Sequence, residues 1–327
     1  MTGKEKFYAA IKGELPNDCS LMELEYQLFE ELLGEDPIVG NEYQALCASR
    51  KKDALKKNAE LFVKAAKMLG HDVIRDLCGY WETAPGHPAL LWLPTLEDRV
   101  DFIRCIKDTV KDEYSILATV CCPFCIPTGE ELYTFVDTLY DEPEKVREDF
   151  CQKTEDAMRV GDALLEAGAD GLINTADVAF NSGTFMTTEH MEELFFPELK
   201  RWAEYVHRKN ALAIWHTDGN ITKVLPFAKE SGIDAIQCVD PIAGMDLRES
   251  FDLLEGKVAL IGNVDCAILQ NCTEEEIRNE CKRVFNAVRK DDKWVMGCCN
   301  AVFKGIPLEN YRVFLDEYVA CSRRRHE

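Results

Sequence analysis

Two polar side chains, His216 and Asp218, follow a continuous apolar stretch of this chain. Residues 211–215 are all apolar, and the two side chains come directly after them. Histidine can transfer a proton or bind a metal, and a carboxylate can do the same. A buried strand that ends in such a pair is a common way to build a catalytic or metal-binding site. The same pattern of an apolar run with a polar end recurs along the chain, so the pair is expected to be part of a larger site.

The other predicted strand ends carry carboxylates, thiols and amides. They are Glu23, Glu25, Cys78, Cys121, Cys122, Asp177, Cys238, Asp240, Asn263, Asp265, Cys298, Cys299 and Asn300. Histidine, thiolate and carboxylate are the ligands that zinc prefers, and a catalytic zinc usually has three of them and one open position. His216, Asp218 and Cys298 therefore predict a Zn²⁺ site, with Asp240 and Cys238 as alternative ligands.

Each of these residue types also has a purely structural role to consider. A strand-end aspartate such as Asp177, Asp240 or Asp265 can cap the helix that follows it. A cysteine within a strand, such as Cys238, is more often a small core residue than a ligand. The CPFC segment at 122–125 has the CxxC spacing of redox and zinc motifs, but no second CxxC is present, which favours a structural role.

Eight predicted strands alternate with predicted helices, which indicates an α/β fold. The strands are 20–26, 71–77, 114–120, 169–177, 211–218, 234–240, 258–265 and 293–299. The helices are 4–13, most of 27–70, 96–112, 129–140, 143–167, 189–208, 221–231, 246–255, 274–289 and 307–323, with a loop predicted at 78–94. Continuous apolar strands are typical of a parallel sheet covered on both faces. With no glycine-rich dinucleotide fingerprint, the pattern predicts one domain over 1–327, a single (β/α)8 TIM barrel with an N-terminal helical extension.

Composition excludes several classes of function. The formal charge of −21 argues against binding to nucleic acid or to anionic lipid, both of which need a surplus of lysine and arginine. No apolar run approaches the 18 residues of a membrane span. An odd count of 15 cysteines in 327 residues does not fit a small disulfide scaffold. The expectation is a cytoplasmic protein with reduced thiols, in a reducing, anaerobic cell.

Short motifs spread over nearly the whole chain resemble those of the uroporphyrinogen decarboxylase superfamily, in particular its corrinoid-dependent methyltransferases. They are KEKFYAAIKGE at 4–14, PF at 123–124, DVAFNSG at 177–183, WHTDGNI at 215–221, AGMD at 243–246, GNVD at 262–265, GCCN at 297–300 and PLEN at 307–310. Each motif is short, but their order and spacing together are specific. The resemblance implies a (β/α)8 barrel, in agreement with the strand count.

The resemblance also implies a ligand set, with one departure. Similar methyltransferases hold zinc with a His-x-Cys pair and a later cysteine, which His216 and Cys298 match. Asp218 stands where those enzymes have the first cysteine. Either Asp218 is a carboxylate ligand, giving a harder site suited to an oxygen-bearing group, or Asp240 or Cys238 completes the set. Coenzyme M is correspondingly disfavoured as the acceptor.

The first functional hypothesis is a zinc-dependent methyltransferase. It would move a methyl group between a small methylated donor, such as a methyl ether, and the cobalt of a corrinoid (cobalamin) on a partner protein. The chain has no Asp-x-His-x-x-Gly motif that would hold the corrinoid itself. His216 and Asp177 are the predicted catalytic residues. The predicted substrate-binding residues are Asn181, Asn263, Asn300 and Trp81, and a homodimer is compatible with the sequence.

Two other hypotheses remain open. One is a metal-free, decarboxylase-like lyase in which His216 and Asp177 act as acid and base. It is disfavoured because the decarboxylases carry an arginine-rich motif near the start, where this chain has Glu23, Leu24 and Glu25. The other is a non-catalytic module that binds a corrinoid or tetrapyrrole, for which a change at Cys298 would have no effect.

Overall fold

The computed structural model describes residues 1–15, 18–84 and 87–326, with side chains described outside 78–92 and 325–326. Its centre is one sheet of eight strands in which every paired neighbour is parallel. The strands are β1 (Ser20–Leu21), β2 (Val73–Arg75), β3 (Ser115–Val120), β4 (Gly171–Thr175), β5 (Leu212–His216), β6 (Ala235–Gln237), β7 (Ala259–Ile261) and β8 (Trp294–Met296). Their order around the sheet follows the chain, and β1 pairs with β8. The sheet is therefore a nearly closed barrel, and the predicted (β/α)8 fold is confirmed.

Backbone and side-chain hydrogen bonds of Asp72 and Arg75 close the gap between β1 and β2, which we call the β1–β2 seam. The Asp72 amide donates to the Leu21 carbonyl over 2.8 Å. The Asp72 carboxylate accepts from the Leu21 amide at 3.0 Å and from the Ser20 hydroxyl at 2.8 Å. Beyond Asp72 along β2, the Arg75 guanidinium donates across the seam to the Leu24 carbonyl, and on its other side to the Thr119 hydroxyl of β3.

Helices surround the sheet. They are α1 (Gly3–Lys12), α2 (Phe29–Leu33), α3 (Gly40–Gln44), α4 (Ala48–Leu69), α5 (Leu96–Val110), α6 (Glu130–Asp141), α7 (Pro143–Glu166), α8 (Thr188–His190), α9 (Phe196–Arg208), α10 (Leu225–Ala228), α11 (Leu247–Leu254), α12 (Cys266–Asn271), α13 (Glu274–Ala287) and α14 (Leu308–His326). Within the described ranges, no helix is both long enough and apolar enough to cross a membrane.

Helix α1 covers the amino-terminal end of the barrel. Its buried residues Phe7 and Ile11 join an apolar cluster with residues of the strands, among them Leu117 and Ile214. Lys4 fixes the helix by an ion pair of 2.6 Å with Asp170, just before β4. With this end filled, the opposite, carboxyl-terminal end is the one on which a site can be built, as is usual in such barrels.

The local differences from the sequence prediction have physical causes. The segment predicted as a loop at 78–94 contains an antiparallel hairpin of Cys78–Ala84 with His87–Trp92; its aromatic residues favour strands, which the prediction underweighted. The single helix predicted at 189–208 is interrupted by a π-helical turn, Met191–Phe195. Pro197 follows that turn and has no N–H to continue a regular ladder.

Two further segments differ. The predicted helix at 221–231 is reduced to a 3₁₀ turn, Thr222–Val224, and the short α10, which has a proline in its first turn. The mostly helical region at 27–70 divides into α2, α3 and α4, with Gly34 in a left-handed conformation ending α2.

Candidate active site at the carboxyl-terminal end of the barrel

Asp177, His216 and Asp218 meet where β4 and β5 end. His216 Nε2 lies 3.7 Å from an Oδ1 atom of each aspartate. The three ligand atoms all lie within 4.8 Å of one another, and in the described part of the chain this is the group of His, Cys, Asp and Glu side chains that meets that criterion. His216 is buried, whereas both carboxylates are partly open to solvent. The group thus joins a fixed imidazole to two accessible negative charges.

The orientation of the imidazole is set by Gln237 on β6. The Gln237 side-chain amide donates to the carbonyls of Cys298 and Cys299, over 3.2 and 3.4 Å. Its Oε1 must therefore be the acceptor toward His216 Nδ1. The histidine consequently carries its proton on Nδ1 and directs the lone pair of Nε2 toward Asp177 and Asp218. Metal-binding histidines are commonly held in this way.

Asp218 is held in place by three neighbours. Its amide donates to Asp177 Oδ1 over 3.0 Å, so the two aspartates are linked through the backbone. Asn300 Nδ2 donates to Oδ2 over 2.9 Å, and the Cys238 thiol donates to Oδ1 over 3.4 Å. Burial raises the pKa of Asp218, and the nearby negative charge of Asp177 adds to this effect. The excess negative charge makes this a place where a cation would be stabilised.

Gly219 makes the turn that aims Asp218 at the site. Its φ is +84°, which L residues rarely adopt, and a Cβ atom here would lie 2.5 Å from the Ala179 carbonyl oxygen. Because only glycine allows this contact, the loop after β5 can pack against the segment that follows Asp177. This packing brings the two aspartates to one side of the imidazole.

The donor set fits Zn²⁺. Zinc bound to imidazole nitrogen and carboxylate oxygen at about 2.0–2.2 Å in tetrahedral geometry separates its ligand atoms by about 3.3–3.6 Å. The distances of 3.7 Å from Nε2 to each carboxylate oxygen need only a small contraction. Three protein ligands and access from one side match a zinc site that keeps an open position.

These residues lie in the wall of a cavity of about 810 Å³, a size suited to a small-molecule ligand. The described lining carries four carboxylates, Glu25, Asp177, Asp218 and Asp240, and one basic side chain of the Lys/Arg type, Arg75. The rest of the wall is mostly apolar or thiol-bearing. The cavity is therefore acidic on the side of β5 and β6.

Cys298, predicted as the third metal ligand, lies elsewhere. Its thiol donates to Glu23 over 3.6 Å, its amide donates to the same carboxylate over 2.9 Å, and the residue is fully buried. Burial raises the pKa of Cys298 to about 12. In the structure, Asp177 and not Cys298 joins His216 and Asp218. The Cys298 thiol is not among the ligand atoms that lie within 4.8 Å of one another.

The other predicted residues divide between the site and its surroundings. Asp240 lines the cavity, and Asn300 lines it while holding Asp218. Asn263 is fully buried and donates to the Val239 carbonyl over 2.8 Å, a structural role away from the cavity wall. Asn181 is exposed at the hairpin of Ala179–Phe180 with Gly183–Thr184 and is not part of the cavity lining. The side chain of Trp81 lies outside the described residues.

A buried polar chain runs behind Cys298. Tyr311 donates to Glu23 over 2.9 Å, and its hydroxyl is 2.8 Å from His71 Nε2. Burial raises the pKa of Glu23 to about 7, although the amide of Cys298 and the hydroxyl of Tyr311 oppose the shift. Burial also lowers the pKa of His71 to about 3. Near the end of β1, burial thus favours the neutral forms of Glu23 and His71.

A pair of thiols lines the cavity beside Asp177. Interaction with the Cys121 thiol lowers the pKa of Cys125 to about 7, and interaction with Cys125 together with burial raises the pKa of Cys121. The Asp177 carbonyl beside this pair accepts from the Ile126 amide over 2.9 Å. The pair differs from the sequence motif: Cys122 is buried, and its amide and carbonyl bond to Asn174 at 2.9 and 2.7 Å.

Sequence reasoning missed Gln237 and Asn174. Both are polar residues within strands that are otherwise apolar, and both are fully buried. A buried amide must find hydrogen-bond partners, so an isolated Asn or Gln in an apolar strand is the signal that could have indicated them.

Comparisons with known proteins agree with this architecture. The model of the uroporphyrinogen decarboxylase (URO-D) family matches residues 88–320. A uroporphyrinogen decarboxylase from Anaeromyxobacter sp. (strain Fw109-5) is 23% identical over 226 residues, which are 66% of this chain and 62% of that protein, less than two thirds of its length. A methyltransferase from Methanosarcina mazei has the same fold, with a TM-score of 0.75 at 17% identity over 98% of this chain and 99% of its own. On the strength of the family match, which covers well over half of its residues, this chain belongs to the uroporphyrinogen decarboxylase (URO-D) family.

Proposed function

We propose that this protein is a zinc-dependent methyltransferase. It moves a methyl group between a small methylated donor, of the methyl ether class, and the cobalt of a corrinoid carried by a partner protein. The observation that carries the proposal is the group of Asp177, His216 and Asp218, whose ligand atoms lie within 4.8 Å of one another in the cavity wall. The fold shared with the Methanosarcina methyltransferase is compatible with it.

The chain's own residues would prepare the site in three ways. Gln237 fixes the imidazole so that Nε2 of His216 is a ligand and not a proton donor. Asp177 and Asp218 supply the negative charge that a dication needs. When bound, Zn²⁺ supplies Lewis-acid stabilisation of the heteroatom that gains charge as the methyl group leaves. Asn300, at the cavity wall, would hold Asp218 in position while the substrate is bound.

The donor set favours an oxygen-bearing substrate. Two carboxylates and an imidazole make a harder site than one with thiolates, and hard sites prefer oxygen over sulphur. The cavity volume of about 810 Å³ accommodates a small compound. The four carboxylates of the lining would repel a polycarboxylated porphyrinogen.

The rim of the cavity offers a surface for a corrinoid protein. Ile242 is 54% exposed and lines the cavity, and Phe180, on the segment that packs against Gly219, is 49% exposed. These exposed apolar side chains would be available to contact such a partner. A corrinoid presented there would face the bound donor.

A metal-free lyase is the second candidate, favoured by the match to the decarboxylase family model. In this case Asp177 and His216, 3.7 Å apart, would exchange a proton with a carboxylated substrate. This candidate predicts turnover without zinc and without a corrinoid.

Metal content distinguishes the two candidates. Purified protein is loaded with Zn²⁺, dialysed against a weak chelator and analysed by plasma mass spectrometry. We expect about one zinc per chain in the wild type, and a loss of at least tenfold in binding for His216→Ala, Asp177→Asn and Asp218→Asn. Cys298→Ser and Asp240→Asn are the matched controls and should retain zinc. If Cys298→Ser lost zinc as fully as Asp177→Asn, the ligand set would be wrong.

Methyl transfer is tested with free cob(I)alamin as the acceptor and a panel of small methyl ethers as donors. Formation of methylcobalamin is followed by its visible spectrum. It should require zinc and be lost in His216→Ala. Consumption of a carboxylated substrate at equal rates by zinc-loaded and zinc-free protein would instead support the lyase.

A further inference from the structure

We propose that Asn263 is a positioning residue of the metal site, on which it acts through the turn that follows β6. Two observations carry the proposal. Cys238 and Val239, directly after β6, have φ values of +112° and +55°, which residues other than glycine rarely adopt. The Asn263 side chain donates to the Val239 carbonyl over 2.8 Å and so holds this strained turn. The assignment rests on the proposed function, because the site in question is the one that would bind zinc.

The turn after β6 determines which side chains reach the site. Successive side chains of a regular strand point to opposite faces of the sheet. Gln237, the last residue of β6, is hydrogen bonded to His216 Nδ1. The next side chain, Cys238, also reaches the site and donates to Asp218 Oδ1 over 3.4 Å. The positive φ at Cys238 thus breaks the strand alternation, so that two adjacent residues hold two different candidate ligands.

The surroundings impose this conformation on Val239. A β-branched residue with a positive φ is an outlier, and such strain persists only where neighbouring contacts determine the backbone. Val239 is buried, and Asn263 Nδ2 donates to its carbonyl. The segment that carries Asn263 can lie against the turn because Gly262 has no side chain: a Cβ atom there would lie 2.5 Å from the Cys238 carbonyl oxygen. The end of β7 therefore supports the turn after β6.

Asn263 is itself held by α13. The Arg283 guanidinium donates to the Asn263 carbonyl over 2.9 Å and to Oδ1 over 3.3 Å. Because a guanidinium has donors only, Oδ1 faces Arg283 and Nδ2 is the atom directed at Val239. The buried Glu280 carboxylate accepts from Arg283 over 2.6 and 2.7 Å and from the Asp265 amide over 3.0 Å. The Asn263 amide is thus fixed on both sides and transmits the position of α13 to the turn.

Zinc affinity, measured by competition with a chromophoric chelator, tests the role of Asn263. Asn263→Leu keeps the size of the side chain and removes the donor, and we expect Zn²⁺ binding about tenfold weaker or more. Asn58→Leu is the matched control: Asn58 is buried on α4 and donates to the Ile38 carbonyl over the same 2.8 Å, so its loss should leave zinc affinity at the wild-type value. Should Asn263→Leu not fold, Arg283→Met, at a partly exposed position, replaces it and should also weaken binding.

A second substitution tests whether Asn263 acts through the turn. Glycine adopts a positive φ without a steric penalty, so in Val239→Gly the turn depends less on its support. In this background, Asn263→Leu should weaken zinc binding by only about threefold or less, since two residues that act through one contact are not additive. A loss of the same size in both backgrounds would overturn the proposal, because Asn263 would then act by another route.

A measurement without metal separates this proposal from the proposed function. The ¹⁵N NMR signals of the His216 ring in zinc-free protein report which nitrogen carries the proton. The wild type and Asn58→Leu should show the proton on Nδ1, and Asn263→Leu should show a mixture of the two tautomers. A wild-type pattern together with wild-type zinc affinity in Asn263→Leu would overturn the proposal. A wild type that binds no zinc, with the tautomer still altered in Asn263→Leu, would refute the metal function and support the positioning role.

Discussion

His216 Nδ1 is hydrogen bonded to Gln237 Oε1, while Nε2 of the same ring lies 3.7 Å from a carboxylate oxygen of Asp177 and of Asp218. One amide on β6 thus determines which nitrogen on β5 is presented to the cavity. Loss of such a partner typically costs a metal site ten- to hundredfold in affinity. We therefore expect Gln237→Leu to weaken Zn²⁺ binding by about tenfold or more, measured by competition with a chromophoric chelator. Gln152→Leu, on the surface of α7, is the control, and equal affinities in the two variants would contradict the role of Gln237.

Asp218 gives a second prediction, which concerns the choice of metal. Asp218→Cys introduces the His-x-Cys pair of similar methyltransferases, and a thiolate is a softer ligand than a carboxylate. The variant should still bind zinc. Its affinity for Cd²⁺ relative to Zn²⁺ should exceed that of the wild type by about tenfold or more. The measurement is competitive loading with both metals followed by mass spectrometry. Asp240→Cys serves as the control, and a shift of the same size there would indicate that Asp218 is not a ligand.

Glu23 gives a pH-dependent prediction. Burial raises its pKa from 4.5 to about 7, so folding favours the protonated form. The contribution of the protonated Glu23 to the free energy of unfolding is fully present below pH 4.5 and is lost as the pH rises through 7. Between pH 5 and pH 8 the free energy of unfolding of the wild type should fall by about 2–3 kcal/mol relative to Glu23→Gln, since one pKa unit corresponds to about 1.4 kcal/mol.

Urea unfolding at the two pH values measures this difference. The exposed Glu204→Gln variant is the control and should show the same pH dependence as the wild type. Parallel behaviour of Glu23→Gln and wild type would mean that Glu23 is not the titrating group.

A fourth prediction concerns the turn after Asp218. Gly219 and Gly232 have similar φ values of +84° and +78°, but only at Gly219 would a Cβ atom meet backbone, the Ala179 carbonyl oxygen at 2.5 Å. Gly232→Ala should cost about 1–2 kcal/mol of stability from the left-handed conformation alone. Gly219→Ala should cost about 1–3 kcal/mol more, because the loop must shift. Urea unfolding measures both, and equal costs would refute the close contact.

Arg75 provides a fifth prediction. Its buried guanidinium donates to the Leu24 carbonyl across the β1–β2 seam and to the Thr119 hydroxyl on β3. Removing the cation leaves these buried acceptors without their donor, which costs about 1–3 kcal/mol for each group. We expect Arg75→Met to lower the free energy of unfolding by about 3 kcal/mol, while Arg104→Met, at an exposed position of α5, changes it by less than about 0.5 kcal/mol. A loss no larger than that of Arg104→Met would show that Arg75 does not stabilise the seam.

The barrel was predictable because its signal is repeated. Each of the eight strands is an apolar run followed by a helical pattern, and an error in one unit is corrected by the other seven. The start of the helix predicted at 274–289 agrees with α13, which begins at Glu274 after a capping box of Thr273 and Glu276, a local pattern of residues three apart. His216, Asp177 and Asp218 could be assigned to one end of the sheet because parallel strands bring their carboxyl ends together.

The detailed site was less predictable because it depends on contacts between distant segments. Cys298 and Asp177 both end strands, and the sequence does not state which of them faces Nε2 of His216. Glu23, at the end of β1, accepts hydrogen bonds from the thiol and amide of Cys298, and this contact joins residues 275 positions apart. The Cys121–Cys125 pair was similarly hidden, because the bonds of Asn174 turn Cys122 into the interior.

The hydrogen bonds of Asp72 across the β1–β2 seam also bear on how the protein avoids self-association. A strand whose backbone groups face outward without partners is a template for edge-to-edge aggregation. On the side of β1 that faces β2, the carboxylate of Asp72 accepts hydrogen bonds from the Leu21 amide and the Ser20 hydroxyl. The Asp72 amide donates to the Leu21 carbonyl. One acidic residue thus occupies the hydrogen-bonding groups that an incoming strand would use. Asp72, itself buried and 3.7 Å from the Lys6 ammonium, thus conceals the open edge of the sheet from a second chain.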